Sequence, residues 1–379
     1  MQTRKIITYF LAWRVLLFIF LLLAIETFPL QLNFLGGGLE NYLKNPLLWA
    51  WINFDGEHYL DIAYSGYKSL TYFYFPVFPY LTKLVSNFTN NDFAGTAWTG
   101  LLVSNIAFVT GLLGLTSLIK LDFKEKLVRP TLLLLLFFPT SFYFGSFYSE
   151  SLFFALVIWS FYFARKKKWL LAGLFGAFST ATRVVGIALF PALIVEAILQ
   201  WKEKKGNLKL AMISAFSVML GIIYYSSILD AKTGDPLEFF HSVEIFGSQR
   251  AAGFILLPQV FYRYLFKILP NINYEYFPAV FTTFLELLTA STFLLLVIVS
   301  FFKLRLSYAL YSAIVYLIPT FSGSFSSFPR YVLVIFPVFI LSAIYFTKLS
   351  RGIQVLISLL LLTTLGIATA LFVRGYWVS

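Results

Sequence analysis

The densest run of chemistry-bearing residues is Asn53-Phe54-Asp55-Gly56-Glu57-His58-Tyr59-Leu60-Asp61, continuing through Ile62-Ala63 to Gly66-Tyr67. Carboxylates this close to an imidazole can move a proton, and a helix would sort them by face. Asn53 suits a helix N-cap and Gly66 a C-terminal stop. On that helix Asp55, His58 and Ile62 share one side by i, i+3, i+7 spacing, while Glu57 and Asp61 share another with Tyr64. The first face pairs an acid with an imidazole beside an apolar anchor. This is the arrangement of a carboxylate general base oriented by a neighbouring donor. The alternative is a solvated loop helix whose Asp55 merely favours the positive end of the dipole.

Two arginines raise a second kind of chemistry. Arg183 lies in Thr180-Ala181-Thr182-Arg183-Val184, inside an otherwise apolar stretch, and Arg330 in Ser327-Phe328-Pro329-Arg330-Tyr331, at the edge of another. A guanidinium is always charged and its fork matches phosphate. Both are candidates for holding the headgroup of an anionic lipid, against the plainer reading of snorkelling to an interface.

The elements that must position these groups are set by composition. Of 379 residues, 59% are hydrophobic and only 12% charged, whereas soluble domains carry roughly 25% charged residues. Such a chain has too little polar surface to cover a globule in water, so lipid is its solvent. The apolar runs are long and lack period-2 alternation, which predicts helices rather than barrel strands. The expected fold is an all-α polytopic membrane protein: a single domain over 1–379 with about ten or eleven transmembrane helices. The net charge of +12 is carried by short Lys/Arg clusters between apolar runs. That is the signature of cytoplasmic loops, not of nucleic-acid binding. The first apolar run lacks a small-residue cleavage pattern and reads as a retained helix. There is no cysteine, which excludes disulfides and thiolate metal sites, and no metal-ligand cluster is evident.

Placing every dense basic cluster inside puts two long loops outside, at about 29–93 and 230–278. Both histidines, His58 and His241, then lie outside, together with Asp55, Glu57, Asp61, Glu150, Asp235 and Glu238. Charges at membrane depth cost at least about 2.5–3.5 kcal/mol each and mark function by default, so the outer face is where a site is expected. Residues 72–85, broken by Pro76 and Pro79, read as re-entrant or interfacial, and residues 253–269 as lying at the interface.

The run Phe54-Asp55-Gly56-Glu57-His58-Tyr59, followed by Ile62-Ala63, Gly66-Tyr67 and Phe75-Pro76-Val77-Phe78-Pro79, resembles the first-loop motif of the PIG-V-like mannosyltransferases of the glycosyltransferase C superfamily. Further matches follow in order: Phe138-Pro139-Thr140-Ser141-Phe142 with Tyr148-Ser149-Glu150-Ser151, then Ala181-Thr182-Arg183 with Gly186, then Gly234-Asp235-Pro236-Leu237, then Arg330-Tyr331 with Phe336-Pro337. One departure is Phe54, where the family carries Trp. The resemblance implies a first extracytoplasmic loop with short juxtamembrane helices. It also implies transfer of a sugar, mannose in that family, from a polyprenyl-phosphate carrier to a glycan or lipid acceptor hydroxyl by a single inverting displacement. No cofactor and no metal are implied, since the lipid-linked sugar is a substrate. Asp55 would be the base, and Arg183 and Arg330 would hold the phosphate. His58, Glu57, Glu150 and Asp235 would serve substrate binding, His58 by orienting Asp55 or by contacting sugar. The implied membrane is the plasma membrane of a prokaryote or the endoplasmic reticulum of a eukaryote. The competing classes are a polyprenyl-lipid transporter or flippase, against which the chain shows no inverted repeat, and a non-catalytic subunit.

Overall fold

The computed structural model describes residues 3–89, 91–204, 207–241 and 255–378. Among them every regular element is helical, as lipid demands of a backbone that must satisfy its own hydrogen bonds. Along the chain, α1 (Thr3–Thr27) leads into the first loop, which carries α2 (Asp55–Ser65) and α3 (Val77–Ser86). Next come α4 (Phe93–Asp122), α5 (Glu150–Arg165), α6 (Trp169–Thr180), α7 (Val184–Lys202) and α8 (Leu208–Thr233). After the second loop follow α9 (Phe277–Lys303), α10 (Leu306–Thr320), α11 (Phe336–Phe346) and α12 (Arg351–Val373).

Six of these, α1, α4, α7, α8, α9 and α12, are long and apolar enough to cross a bilayer. The chain is an integral, multi-pass membrane protein. Their ends follow local sequence. Asp92 accepts from the Gly95 N–H at 2.5 Å to start α4, Asn207 accepts from Leu210 at 3.1 Å to start α8, and Gly234 stops α8 with φ of 75°. Charge exclusion fixes where an apolar run can begin and stop, and each of these spans begins and ends within a few residues of a charged side chain.

The remaining apolar runs are built differently from continuous spans. The run through residues 130–146 is a helix only over Val128–Leu136, then a turn at Phe137–Thr140, then a 3-10 segment over Ser141–Gly145. Nine helical residues rise only about 14 Å, under half of a hydrocarbon core. Phe328–Val334 and α11 meet at 85° and count together as a seventh span at most. Such pieces read as spans because their side chains are as apolar as lipid-facing ones. They are buried among other helices instead: Leu132, Leu135, Phe142, Phe144 and Val334 are at most 2% exposed. Irregular backbone at membrane depth is tolerated where protein covers it. The segment at 72–85 also behaves as a non-crossing piece, with α3 lying on α2 and α4. Residues 253 and 254 of the interfacial stretch at 253–269 lie outside the described residues.

At one end of the bundle a buried ionic cluster ties four helices together. Arg165, the last residue of α5, pairs with Asp122 of α4 at 2.9 Å and with Glu196 of α7 at 2.8 Å. Glu196 also accepts from Arg305 at 2.6 Å, from Ser307 at 2.7 Å and from Gln200 at 2.7 Å. Glu196 is fully buried, so its charge is tolerable only because two guanidiniums and two neutral donors surround it. Replacing Glu196 with Ala leaves Arg165 and Arg305 undercompensated and should cost about 3–5 kcal/mol. The expected result is a clear drop in the temperature at which the detergent-solubilised protein loses its monodisperse elution peak. An unchanged midpoint would show the cluster to be dispensable.

Candidate active site

The site grows from Asn53, which is fully buried. Its side chain accepts from the Gly36 N–H at 2.9 Å and donates to the Phe372 carbonyl at 2.8 Å, and its own carbonyl accepts from the Tyr148 hydroxyl at 2.7 Å. Asn53 is therefore not the N-cap expected from the sequence. It pins the first loop to α12 and to the stretch before α5. Phe54 occupies the cap position with φ of 59° and ψ of −121°, and its N–H donates to the Phe34 carbonyl at 2.9 Å. A positive φ at a bulky residue stores about 1–3 kcal/mol and persists only where the surroundings enforce it. Here it turns the chain so that Asp55 is the first residue of α2.

Asp55 is gripped from two sides. Arg330 Nη1 donates to Oδ2 at 2.5 Å, and the Tyr74 hydroxyl donates to Oδ1 at 3.1 Å. Burial first, and the adjacent Asp55 carboxylate second, push the Tyr74 phenol well above its ordinary range, so it remains a donor. His58 stacks on the Tyr74 ring at 5.1 Å. Burial lowers its pKa against the opposing pull of Asp55 and Asp61, which favours the neutral imidazole.

Behind Asp55 the charges alternate. Arg330 Nε lies 3.4 Å from Glu150 Oε1, and the same oxygen accepts from Arg183. Arg183 also reaches Ser149 Oγ at 3.3 Å, and Ser149 shares a 2.8 Å hydrogen bond with Tyr59. Arg330 sits against the rings of Tyr143, Tyr148 and Tyr331 at 5.2–5.5 Å. Each arginine is placed by a break in a helix. Arg183 is extended between α6 and α7, in a turn where Gly186 runs so close to α6 that a Cβ would fall 2.8 Å from the Thr180 nitrogen. Arg330 lies on the short limb bent away from α11, fixed by a 2.7 Å hydrogen bond from Thr140 to the Pro329 carbonyl.

Two cavities meet at this point. The smaller, of about 350 Å³, is mostly apolar and contains Arg183, Arg330, Val185, Phe240 and Ile318. The larger, of about 800 Å³, is more polar and contains His58, Thr282, Glu286 and Trp377. Asp55, Phe73, Tyr74 and Arg330 line both and form the wall between them. A carboxylate thus faces two compartments, and two guanidiniums face the apolar one.

Of the residues singled out from the sequence, Asp55, Glu150, Arg183 and Arg330 converge, and His58 joins them at the larger cavity. Glu57 lines neither cavity. Asp235 also lines neither: it is partly exposed, accepts from the Leu237 N–H at 2.9 Å and pairs with His241 at 2.5 Å. Asp61 pairs with Lys68 at 2.7 Å. Tyr74, Tyr59 and Ser149 were not legible as site residues, because single tyrosines and serines in an aromatic-rich membrane chain carry no distinguishing spacing; Glu286 did carry a signal, as an acid inside the apolar run of α9. Among the described residues no group of three or more acids, histidines or cysteines could hold a metal.

This is the fold of a membrane protein with a charged centre set between an apolar and a polar compartment. No known family's sequence profile matches the chain. No curated protein sequence matches it either. Solved structures do. ArnT from Cupriavidus metallidurans, solved bound to undecaprenyl phosphate, aligns over 97% of this chain and 76% of its own length, with TM-score 0.55 and 14% identity. An oligosaccharyltransferase from Archaeoglobus fulgidus, in complex with zinc and sulfate, aligns over 96% of this chain and 53% of its own, with TM-score 0.47 and 13% identity. The same organism's AglB, in complex with an inhibitory peptide and a dolichol-phosphate, gives 0.42 at 13% identity over 96% and 56%. The chain shares the fold of ArnT.

Glu57 gives a pH test of the first loop. Burial pushes its carboxyl from an ordinary 4.5 up to about 7. Between those values the folded protein binds a proton that the unfolded chain has released. Stability therefore falls as pH rises from about 4.5 through about 7. Glu57→Gln should flatten that decline and raise stability above pH 7, read as the heat-inactivation midpoint across pH 4.5–8. A variant with the wild-type slope would mean that Glu57 titrates as if exposed.

Proposed function

We propose that this chain is a glycosyltransferase that takes a sugar from a polyprenyl-phosphate carrier and passes it to an acceptor hydroxyl. The observation that carries the reading is the Asp55–Arg330 pair on the shared wall of the two cavities. The smaller cavity supplies apolar walls for a prenyl chain beside two guanidiniums suited to its phosphate. The ArnT structure of the same fold was solved with undecaprenyl phosphate, which supports that choice of donor. The larger cavity admits the acceptor to the opposite side of Asp55.

The chemistry follows from the placement. Asp55 accepts the proton of the acceptor hydroxyl as that oxygen attacks the anomeric carbon. The bond to the phosphate oxygen breaks from the opposite face, which inverts the configuration. The leaving group is already a phosphate and needs little protonation, so one base suffices. Arg183 and Arg330 meet the negative charge that grows on it, the contribution that is usually largest in such transfers. Glu150 lies between the two guanidiniums and holds them at a fixed separation. Tyr74 keeps one Asp55 oxygen oriented while the other faces Arg330. The sugar is assigned as mannose on the first-loop resemblance, and the reaction to the extracytoplasmic face on the distribution of basic clusters.

Radiolabelled polyprenyl-phosphate mannose, incubated with the protein in nanodiscs and a panel of lipid and glycan acceptors, tests the reading. Asp55→Asn should lower transfer at least about 10²-fold, the range for loss of a general base. Arg183→Ala should lower kcat by about 10²–10³-fold. Both variants must elute as folded protein. Wild-type activity retained in Asp55→Asn would remove the base from the mechanism. Absence of transfer by wild type, with prenyl-phosphate crossing liposomes instead, would make the chain a transporter.

A further inference from the structure

The larger cavity has a built wall that neither the sequence motifs nor the transfer chemistry uses. Residues Arg374–Val378 fold back over the first loop and are fastened on both sides of Trp377. The Gln31 N–H donates to the Arg374 carbonyl at 3.0 Å, Arg374 Nε donates to the Phe28 carbonyl at 2.9 Å, and the Tyr143 hydroxyl donates to the Val378 carbonyl at 2.8 Å. Trp377 itself stays 43% exposed while standing edge-on to Phe54 at 5.2 Å and 87°. Phe54 in turn stacks on Phe34 at 6.0 Å. A large indole held open on a fastened segment costs little entropy to use and is a typical binding anchor.

Facing into the same cavity from α9 are Thr282, Thr283 and Glu286, with the Glu286 carboxylate oriented by the Tyr264 hydroxyl at 2.7 Å. Glu286 is 7% exposed, an expensive position for an acid on an otherwise apolar helix, and one expected to have a function. The cavity therefore joins flat aromatic faces to hydroxyls and a carboxylate, with Asp55 at its inner end. Aromatic faces take the C–H side of a pyranose ring, and carboxylates and hydroxyls bond its rim. A prenyl chain would place hydrocarbon against those polar groups, which is costly.

We propose that the larger cavity holds a saccharide acceptor, with Trp377 and Glu286 as the residues that position its ring against Asp55. The proposal rests on the transferase assignment above. The tail segment is then a functional wall of the site, and acceptor choice is set where Trp377 faces α9.

Saturation-transfer NMR on the protein in nanodiscs tests this, with methyl α-D-mannopyranoside and methyl β-D-glucopyranoside as saccharide probes and N-acetylthreonine methylamide as the peptide probe. Undecaprenyl phosphate binding is followed in parallel by native mass spectrometry. Trp377→Ala and Glu286→Gln should each weaken a glycoside about tenfold, the loss expected for one well-placed contact. Trp377→Phe should stay near wild type, and undecaprenyl phosphate affinity should be unchanged in all three. Glycoside binding that is absent, or unchanged in Trp377→Ala, overturns the proposal, as does binding of the peptide probe in its place. A wild-type protein that binds glycoside but not undecaprenyl phosphate would strike the transferase assignment instead.

Discussion

Four charged side chains that are far apart in sequence, at positions 55, 150, 183 and 330, share one buried spot in alternating sign. In a medium of low dielectric an uncompensated guanidinium or carboxylate costs several kcal/mol, so none of the four is tolerable without its neighbours. That requirement dictates much of the surrounding architecture. The helix breaks at Arg183 and Arg330, the start of α5 at Glu150 and the strained turn at Phe54 all bring a charge to the same place. Around them, hydrogen bonds from Tyr148, Thr140 and Tyr59 tie the contributing segments to one another. The cluster is thus also the joint at which the first loop meets the helical bundle.

Helix α5 links this joint to the rest of the molecule. It begins at Glu150, in the site, and ends at Arg165, in the buried cluster with Asp122 and Glu196. Fifteen helical steps separate the two ionic centres by about 22 Å, about three quarters of the thickness of a hydrocarbon core. Both ends of a short helix are therefore tied by charge, and its apolar middle packs against α4 and α6. Anchoring of this kind gives the arginines a rigid support, which the proposed transfer would need, because stabilisation by preorganised charge weakens when the donors can relax.

Much of this was legible in the sequence, and the exceptions have physical reasons. Continuous spans such as α4 and α12 were found because their boundaries are charged residues and their middles hold none, and α9 because a single Glu286 does not break its apolar run. The broken segments read as spans, since hydropathy does not distinguish an apolar side chain facing lipid from one facing protein. Asp55, Arg183 and Arg330 were marked by charge in apolar surroundings and by ordered motifs. Asn53 was misread as a cap because its amide serves distant backbone, Gly36 and Phe372, that no local pattern reveals. Tyr74 was missed for the same reason, since its importance comes from what lies beside it in space, whereas Glu286 was visible as an acid within an apolar run and was passed over. Asp235 carried a motif yet lies apart, paired with His241, and the segment at 242–254 that follows it is outside the described residues.

The central claim is that the apolar cavity seats a prenyl phosphate against Arg183 and Arg330, next to Asp55. The most direct measurement is the structure of the protein in nanodiscs with undecaprenyl phosphate. The account predicts density for the phosphate within hydrogen-bonding distance of both guanidiniums, with the chain running along Val185, Phe240 and Ile318. Phosphate density in the larger cavity, or at the opposite end beside Arg165 and Arg305, would contradict it.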